Sequence, residues 1–314
     1  MMPFITKDQL EKNLDYKSLI DSLKKAFQEN FVVPKRHHHN FENPKEGIDS
    51  TLLLMPAWQT GKYLGVKVVT ISPQNGKYNL PAIHGIYTLF DSHKGIPLAQ
   101  IDAATLTNKR TAATSALASS FLSKKNSETL LIVGTGKLAP ELIHAHSIVR
   151  PIKTVYVWGR NFEKAKAVVN LFTKQKFEIF PIKKIEDEIA NADIISCATL
   201  SFEPLIFGKN LHAGQHIDLV GAYRPEMREA DDEAISRSNV FVDTFDGAQE
   251  SGDIFVPLKN GILEEKNICA DLFQLCRNEK PGRKTDEEIT LFKSVGHALE
   301  DLAAAKMIYE KLNF

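Results

Sequence analysis

The spacing of apolar positions changes along the chain, and each spacing predicts a different kind of structure. Residues 6–30 place apolar side chains at helical spacing among charges, which predicts a helix capped at its start by Thr6 and Gln9. Four apolar runs separated by turn-forming residues then predict strands, and a stretch rich in alanine, threonine and serine predicts a helix. The strands are residues 50–58, 63–71, 83–90 and 97–101, and the helix is 103–122. We expect this region to be mostly antiparallel.

From residue 128 onward, short apolar runs alternate with helical patterns. The predicted strands are residues 130–133, 154–158, 192–198, 215–220 and 240–243, and the helical stretches are 138–149, 162–172 and 185–190. Such alternation is typical of a parallel, doubly wound α/β sheet. Apolar positions between Ile289 and Met307 predict one final helix from Thr285 to about Leu312.

Length and charge narrow the classes of function. The 314 residues suggest two domains. With 39 basic and 39 acidic residues, the formal net charge is zero, which does not point to nucleic acid or an anionic membrane as a partner. Apolar runs are shorter than the roughly 18 residues of a membrane span, and residues 1–16 lack a signal-peptide pattern. Three cysteines without a C-x-x-C pair fit a reducing compartment, so we expect a cytoplasmic protein.

A glycine turn follows the first strand of the alternating region. The apolar run 130–133 ends at Gly134-Thr135-Gly136, and a helical pattern begins directly afterwards. Gly134 permits the tight turn, Gly136 lets the backbone approach a pyrophosphate, and Ala139 stands where the third small residue of a dinucleotide fingerprint is required. Because strand, glycine turn and helix occur in this order, we predict a dinucleotide-binding corner.

The residue after the second strand of this region indicates which dinucleotide binds. In an NAD site, an acidic residue there usually holds the ribose 2′-hydroxyl. Here the strand is followed by Gly159-Arg160-Asn161, so an arginine replaces the acid. A planar guanidinium can pair with a 2′-phosphate. The sequence therefore predicts NADP(H) as the preferred cofactor, with NAD(H) possible.

Four further stretches resemble the ornithine cyclodeaminase/mu-crystallin family, in that family's own order. They are residues 64–69 (LGVKVV), 80–85 (LPAIHG), 109–116 (KRTAATSA) and 294–305, which contains SVG and EDLAAA. The resemblance extends over nearly the whole chain. It implies a Rossmann domain, residues 126–285, and a β-rich substrate-binding and dimerisation domain, residues 1–125, completed by a C-terminal helix within residues 286–314. It also implies a homodimer formed through the β-rich domain.

One departure separates the branches of this family. In its cyclodeaminases, a strand resembling IDLV is followed by G-G-D-x-P, whose aspartate activates water; here residues 221–225 read GAYRP, with Tyr223 in place of the aspartate. Tyrosine, with an unperturbed pKa of about 10, is a poor base near neutral pH. The resemblance therefore implies NADPH-dependent reduction of Δ1-pyrroline-2-carboxylate to L-proline and of Δ1-piperideine-2-carboxylate to L-pipecolate. Ornithine cyclodeaminase, alanine dehydrogenase and a mu-crystallin-like NADPH-dependent binding protein remain alternatives.

Three cations match the family's substrate-carboxylate residues, namely Arg36, Lys67 and Arg110. From the sequence alone, Lys67 interrupts an apolar strand and points either outward or into a site, and Arg110 could equally be exposed. The resemblance favours a site in which the two arginines clamp a carboxylate. Lys67 is then the candidate catalytic residue, protonating the imine nitrogen directly or through water. The predicted cofactor-binding residues are Thr111, Gly134, Thr135, Gly136, Lys137, Leu138, Arg160, Asn161, Ala198, Thr199 and Gly221.

Two other features of the sequence could belong to a site, a run of three histidines and the acidic residue Asp301. His37-His38-His39 invites a metal assignment, but neighbouring side chains of an extended segment point in opposite directions, and matching acidic or cysteine spacing is missing from the sequence. We therefore predict no metal site there. Asp301 lies in the helical stretch shared with the family, where it either orients groups of the site or forms a salt bridge within the helix.

Overall fold

The structure is a computed structural model that describes residues 2–313. It divides into two compact units, Met1–Thr111 with Ala298–Phe314, and Ala112–His297. The first part of the chain forms the strands β1 (Phe4–Ile5), β2 (His37–Phe41), β3 (Ser50–Gln59), β4 (Tyr63–Ile71), β5 (Ile83–Asp91) and β6 (Pro97–Asp102), and the helices α1 (Lys7–Asn13), α2 (Tyr16–Gln28) and α3 (Ala103–Leu122).

The remaining strands are β7 (Thr129–Val133), β8 (Thr154–Trp158), β9 (Glu178–Ile182), β10 (Ile194–Cys197), β11 (His216–Leu219), β12 (Asn239–Val242), β13 (Ile268–Asp271) and β14 (Thr290–Lys293). The remaining helices are α4 (Leu138–Val149), α5 (Phe162–Val169), α6 (Asp232–Ser236), α7 (Phe245–Ala248), α8 (Gly252–Lys259), α9 (Leu272–Cys276) and α10 (Ala298–Leu312). No helix within residues 2–313 is long and apolar enough to cross a membrane.

The first unit is built on a six-stranded sheet in the order β1-β6-β5-β4-β3-β2, antiparallel except where β1 joins β6. The four strands predicted from alternation are confirmed to within one residue at each end. Alternate residues of β4 are buried, and α10 packs against both β4 and α2. One face of this sheet is therefore covered by helix, and polar side chains on that face lie in a dry environment.

The predicted helix over residues 6–30 is two helices. Thr6 and Gln9 form the predicted capping box at the start of α1, and α1 ends at Asn13. Asp15 then accepts a hydrogen bond from the backbone N–H of Ser18 and caps α2. An aspartate at this position stabilises a new helix start, so the chain turns between two segments that share one apolar pattern.

The second unit contains eight parallel strands in the order β13-β12-β14-β11-β10-β7-β8-β9. This is the predicted doubly wound sheet, and the expected fold class, Rossmann-type sheet plus mostly antiparallel β-rich region completed by the C-terminal helix, is confirmed. Strand order reverses at β7 and β10, the switch point where α/β sheets bind ligands. The glycine turn after β7 lies at this switch point.

The prediction of one final helix from residue 285 is wrong in its first half. Residues 290–293 form β14, which pairs with β11 on one side and β12 on the other, and the helix begins only at Ala298. A short strand buried on both faces is a continuous apolar run, which periodicity cannot distinguish from a buried helix segment. The apolar positions from Ile289 to Val295 therefore matched helical spacing although residues 290–293 form a strand.

Candidate cofactor and substrate sites

The glycine turn after β7 has the geometry that a pyrophosphate site requires. Gly134 has a φ of +130°, and a Cβ added there would lie 2.6 Å from the carbonyl oxygen of Ala198. Only glycine fits this position without displacing the neighbouring strand end. A Cβ at Gly136, in contrast, would meet open space. Gly134 is thus required by the protein's own packing, whereas the open side of Gly136 is available to a ligand.

The helix that follows presents backbone donors at its start. Lys137 occupies the N-cap position of α4, and its side chain makes no capping hydrogen bond. The first N–H groups of a helix have no partner within the helix, and together with the helix dipole they favour an anion. The start of this twelve-residue helix, beside Gly136, therefore suits a phosphate group.

A cavity of about 450 Å³ opens at the carboxyl ends of β7, β8 and β10. Its lining is Gly134, Thr135, Gly136, Trp158, Gly159, Arg160, Asn161, Lys164, Ala198, Thr199, Leu200, Ser201 and Leu205. Seven of the predicted cofactor residues are in this set. The other four are not in the lining: Lys137 and Leu138 directly follow Gly136, Gly221 adjoins Thr199, and Thr111 lies on α3. The residues present fit an extended nucleotide with a diphosphate at the glycine turn.

The end of the cavity after β8 carries two cations. Arg160 is exposed and Lys164 stands one helical turn further along, in α5. The side chain of Asn161 accepts hydrogen bonds from the backbone N–H groups of Glu163 and Lys164 and so caps α5. Glu163 lies in the first turn of α5 and pairs with Lys166 at 2.8 Å. Arg160 and Lys164 therefore give this end of the cavity a positive charge.

In the first unit, two of the three predicted substrate cations meet in one buried cluster. The Lys67 Nζ lies 2.7 Å from Asp301 Oδ2, and the Arg110 Nε lies 2.9 Å from Asp301 Oδ1. Arg110 Nη1 also donates to Glu300 Oε2 at 2.7 Å. All four side chains are at least 95% buried. Lys67 therefore lies on the covered face of β4, and Asp301 links it to Arg110.

The cluster balances two cations against two carboxylates. Both acids lie in the first turn of α10, where the positive end of the helix dipole favours negative charge. Burial lowers the pKa of Lys67 to about 8; the charge of Asp301 opposes this shift and that of Arg110 adds to it. Burial would raise the pKa of Asp301, but Arg110 and Lys67 hold it below its usual value. The cluster therefore contains an amine that can exchange a proton near neutral pH.

Two hydroxyls lie close to this cluster. Lys67 Nζ donates to Thr107 Oγ1 at 3.4 Å, and Tyr87 is the direct neighbour of Lys67 on β5. The Tyr87 ring covers Gly65, where an added Cβ would lie 1.8 Å from the phenol oxygen. Burial raises the pKa of Tyr87 well above 10, and within residues 2–313 its hydroxyl has no hydrogen-bond partner. Tyr87 is therefore a neutral phenol on the strand next to Lys67.

Arg36 lies in the loop directly before β2 and is half-buried. The next residue, His37, begins β2 and pairs with Leu54 of β3. Met55, which follows Leu54, pairs with Lys67 on β4. Arg36 thus directly precedes a strand that lies two strands away from β4 in the same sheet. Its role in binding a carboxylate stays a prediction, as do the roles of Lys67, Arg110 and Thr111, which lies on α3.

The three histidines form an exposed edge strand. The rings of His37 and His39 lie 6.2 Å apart and at right angles, on the side of β2 opposite to His38, as the alternation of an extended segment requires. Within residues 2–313, no group of three or more histidine, cysteine or acidic side chains is arranged to hold a metal ion.

Sequence reasoning missed Glu300, Tyr87 and Lys164 as members of these sites. One signal was present for Glu300: it stands with Asp301 among small apolar residues of α10, and two acids inside a buried helix face require cationic partners. Tyr87 looks like any aromatic residue of a strand, because its proximity to Lys67 depends on the pairing of β4 with β5.

Comparison with known proteins extends over the whole chain. Residues 3–313 match the model of the ornithine cyclodeaminase/mu-crystallin family. An uncharacterized protein of Schizosaccharomyces pombe is 46% identical, over 99% of this chain and 97% of that protein. A Δ1-pyrroline-2-carboxylate reductase of Colwellia psychrerythraea is 38% identical, over 99% of both chains.

A solved structure shares the fold. The Δ1-pyrroline-2-carboxylate reductase of Thermococcus litoralis, in complex with NADH and L-proline, is 34% identical and superposes with a TM-score of 0.92, covering 99% of this chain and 97% of that one. Lys67, Arg110 and Asp301 lie within three of the four stretches on which the resemblance rested. The chain belongs to the ornithine cyclodeaminase/mu-crystallin family.

Proposed function

We propose that this protein is an NAD(P)H-dependent oxidoreductase acting on CH–NH bonds, which reduces Δ1-pyrroline-2-carboxylate to L-proline and Δ1-piperideine-2-carboxylate to L-pipecolate. The observation that carries the proposal is the buried Lys67–Asp301–Arg110 cluster, which combines carboxylate-binding cations with an amine of pKa about 8. The Colwellia and Thermococcus relatives are Δ1-pyrroline-2-carboxylate reductases, which supports the first of these two reactions. The nucleotide cavity supplies the place for a nicotinamide cofactor.

The substrate presents a carboxylate next to a C=N bond, and each part matches a residue. Arg110 and Arg36 bind the carboxylate, because a guanidinium donates two parallel hydrogen bonds to it. Lys67 lies next to Arg110 and gives a proton to the imine nitrogen, directly or through water. The bound cofactor supplies a hydride to the imine carbon. Hydride plus proton convert C=N to CH–NH, so the reaction balances with the proton held on Lys67.

Asp301 sets the position and the charge of the donor. Its two oxygens contact Lys67 and Arg110 separately, so the distance between amine and guanidinium is fixed by one carboxylate. Its charge also favours the protonated amine against the effect of burial. In this proposal Asp301 is a positioning residue that keeps Lys67 charged near neutral pH.

We propose NADP(H) as the preferred cofactor, because Arg160 and Lys164 line the end of the cavity where the adenosine ribose of a dinucleotide would lie. The Thermococcus relative was solved with NADH, so both cofactors have to be compared. We expect a higher kcat/KM with NADPH than with NADH, and we expect Arg160→Ala to remove most of that preference. A clear preference of the unaltered protein for NADH would refute this assignment.

We also propose a cytoplasmic homodimer that associates through the β-rich sheet. Large apolar side chains are exposed around β5, among them Tyr78, Leu80 and Ile83, and an exposed apolar patch of this kind is typical of an interface. Light scattering should give twice the mass of one chain. Ile83→Asp should shift the protein toward monomer, and an unaltered protein that is monomeric at micromolar concentration would contradict the proposal.

The experiment that tests the function measures cofactor oxidation with each cyclic imine in turn. Three further incubations serve as comparisons: pyruvate with ammonia, ornithine with NAD⁺, and a bulky aromatic ligand with NADPH. We expect imine-dependent oxidation with proline or pipecolate as product. Ammonia and proline from ornithine would instead indicate a cyclodeaminase, reduction of pyruvate an alanine dehydrogenase, and tight aromatic binding without turnover a binding protein.

A further inference from the structure

A buried carboxylate joins the backbone turns that follow two neighbouring strands of the parallel sheet. Glu229 Oε1 accepts hydrogen bonds from the backbone N–H and the hydroxyl of Thr199, at 2.7 and 2.9 Å. Glu229 Oε2 accepts from the backbone N–H groups of Gly221 and Ala222, at 2.7 and 3.2 Å. Thr199 follows β10 and Gly221 follows β11. One fully buried side chain therefore makes four hydrogen bonds to these two turns.

Two further buried charges hold Glu229 in place. Lys293, the last residue of β14, lies with its Nζ 3.8 Å from Glu229 Oε2 and 3.1 Å from Asp253 Oδ2. Asp253 Oδ1 accepts the backbone N–H groups of Glu229 and Ala230. All three charged side chains are fully buried. Buried charges are tolerated only when they are paired and hydrogen-bonded, and this arrangement fixes both ends of Glu229.

The two turns that Glu229 joins are in direct contact, and there is no room between them for a side chain at Gly221. A Cβ added at Gly221 would lie 1.9 Å from the carbonyl oxygen of Thr199. A Cβ added at Gly134, on the turn after β7, would collide with the carbonyl of Ala198. Ala198 and Thr199 line the nucleotide cavity. The position of the strand end after β10 therefore sets one wall of that cavity, and Glu229 determines where this wall lies.

We propose that Glu229 is a positioning residue for the dinucleotide cofactor, acting through the backbone of Thr199 and Gly221 and held by Lys293 and Asp253. The proposal rests on the assignment of the cavity as the cofactor site. It does not depend on which substrate is reduced. Glu229 touches neither cofactor nor substrate in this account, and its effect is to fix the backbone against which the cofactor lies.

Replacing Glu229 by glutamine tests the hydrogen bonds to the two turns while the buried side chain keeps its size. The amide keeps the shape of the side chain, but its NH₂ group faces backbone donors, so one of the two turns loses its acceptor whichever way the amide is oriented. We expect Glu229→Gln to raise the dissociation constants of both NADPH and NADH about tenfold, measured by fluorescence titration without substrate. We expect the KM for the imine to change much less than the KM for the cofactor.

Asp218→Asn is the matched control. Asp218 is equally buried and lies on β11, but it accepts from Ser196 Oγ at 2.6 Å and pairs with His146 rather than with either turn. We expect this variant to lose thermal stability while its cofactor dissociation constant stays within about twofold of the unaltered protein. Equal weakening of cofactor binding in both variants would show that loosening of the sheet is responsible, and would overturn the proposal.

Should Glu229→Gln fail to fold, Glu229→Asp keeps the charge beside Lys293 and withdraws the oxygens from Thr199 and Gly221. The same rise in the cofactor dissociation constants is expected.

Hydrogen exchange tests the proposal without any substitution. In the unaltered protein without cofactor, the backbone amides of Thr199, Gly221 and Ala222 should exchange slowly, because Glu229 accepts hydrogen bonds from them. Fast exchange at all three, or a folded Glu229 variant with unchanged cofactor affinity, would overturn the proposal. Absence of imine reduction alone would refute the proposed function and leave this result standing.

Discussion

At the scale of single residues, the chemistry depends on how Lys67 is buried. Its pKa falls to about 8 because the amine is surrounded by protein, and Asp301 prevents a larger fall. A group with a pKa near the working pH is suited to donate a proton and be recharged from solvent. In the proposed mechanism, the burial that lowers the pKa of Lys67 also means that Asp301 must offset a buried positive charge.

Removing the amine should lower the rate of imine reduction in a protein that still folds. We expect Lys67→Met to lower kcat for imine reduction at least about 100-fold, the usual contribution of a positioned acid or base, while Arg110 remains paired with Asp301. Lys153→Met is the control, because Lys153 forms an ion pair of the same 2.7 Å length with Glu128 on the surface. A near-normal rate in Lys67→Met would exclude Lys67 as the proton donor.

The pH dependence of the rate follows from the protonation of Lys67. A proton donor must carry its proton, so we expect kcat/KM for the imine to fall as pH rises through about 8. The residual activity of Lys67→Met should lack this descending limb. The measurement is a set of initial rates from pH 6 to about 10, the ordinary pKa of lysine, so that the series brackets the lowered pKa of Lys67. A limb unchanged by the substitution would assign the titration to another group.

Asp301 should contribute to stability in a pH-dependent way. Asp301→Asn leaves two buried cations with one acid, and we expect the free energy of unfolding to fall by about 3–5 kcal/mol in urea denaturation near pH 7. Because the folded pKa of Asp301 is below its usual 3.8, its contribution is present above that pH and is lost as pH falls through the folded value. Glu163→Gln, which breaks an exposed pair with Lys166, should cost well under about 1 kcal/mol. Equal costs would contradict the account.

At the scale of elements, the two glycines of the turn between β7 and α4 should have different roles: Gly134 in folding and Gly136 in cofactor binding. Gly134→Ala forces a side chain into positive φ and against Ala198, so it should lower the melting temperature. Gly136→Ala meets open space, so its melting temperature without cofactor should hardly change, while its affinity for NADPH should fall. Thermal unfolding with and without cofactor checks both. The prediction would be wrong if Gly136→Ala bound NADPH normally.

Elements with strong local signals were predictable, and elements defined by their neighbours were not. The bounds of β4 and β8 match the structure because each is a bounded apolar run. In contrast, β14 was predicted as helix because the pattern of a strand buried on both sides has no alternation. The edge strand β2 is polar on both faces, so its extended form depends on pairing with β3. Tertiary contacts decide these cases.

At the scale of the whole molecule, the family resemblance supplied what local patterns could not. The glycine turn and Arg160 could be interpreted from the sequence alone, as a dinucleotide site. Lys67 and Arg110 could not be paired in this way, because they lie on β4 and α3 and are joined through Asp301, which is 191 residues after Arg110 in the chain. Asp301 reaches Lys67 because α10 packs against β4.

The most direct test of the central claim follows one hydrogen atom from cofactor to product. The protein is incubated with Δ1-pyrroline-2-carboxylate and NADPH in which both hydrogens at C4 of the reduced nicotinamide are replaced by deuterium, and the product is analysed by mass spectrometry and NMR. The account predicts L-proline with a single deuterium at Cα, formed in step with cofactor oxidation. Oxidation that does not depend on the imine, or proline without deuterium at Cα, would contradict it.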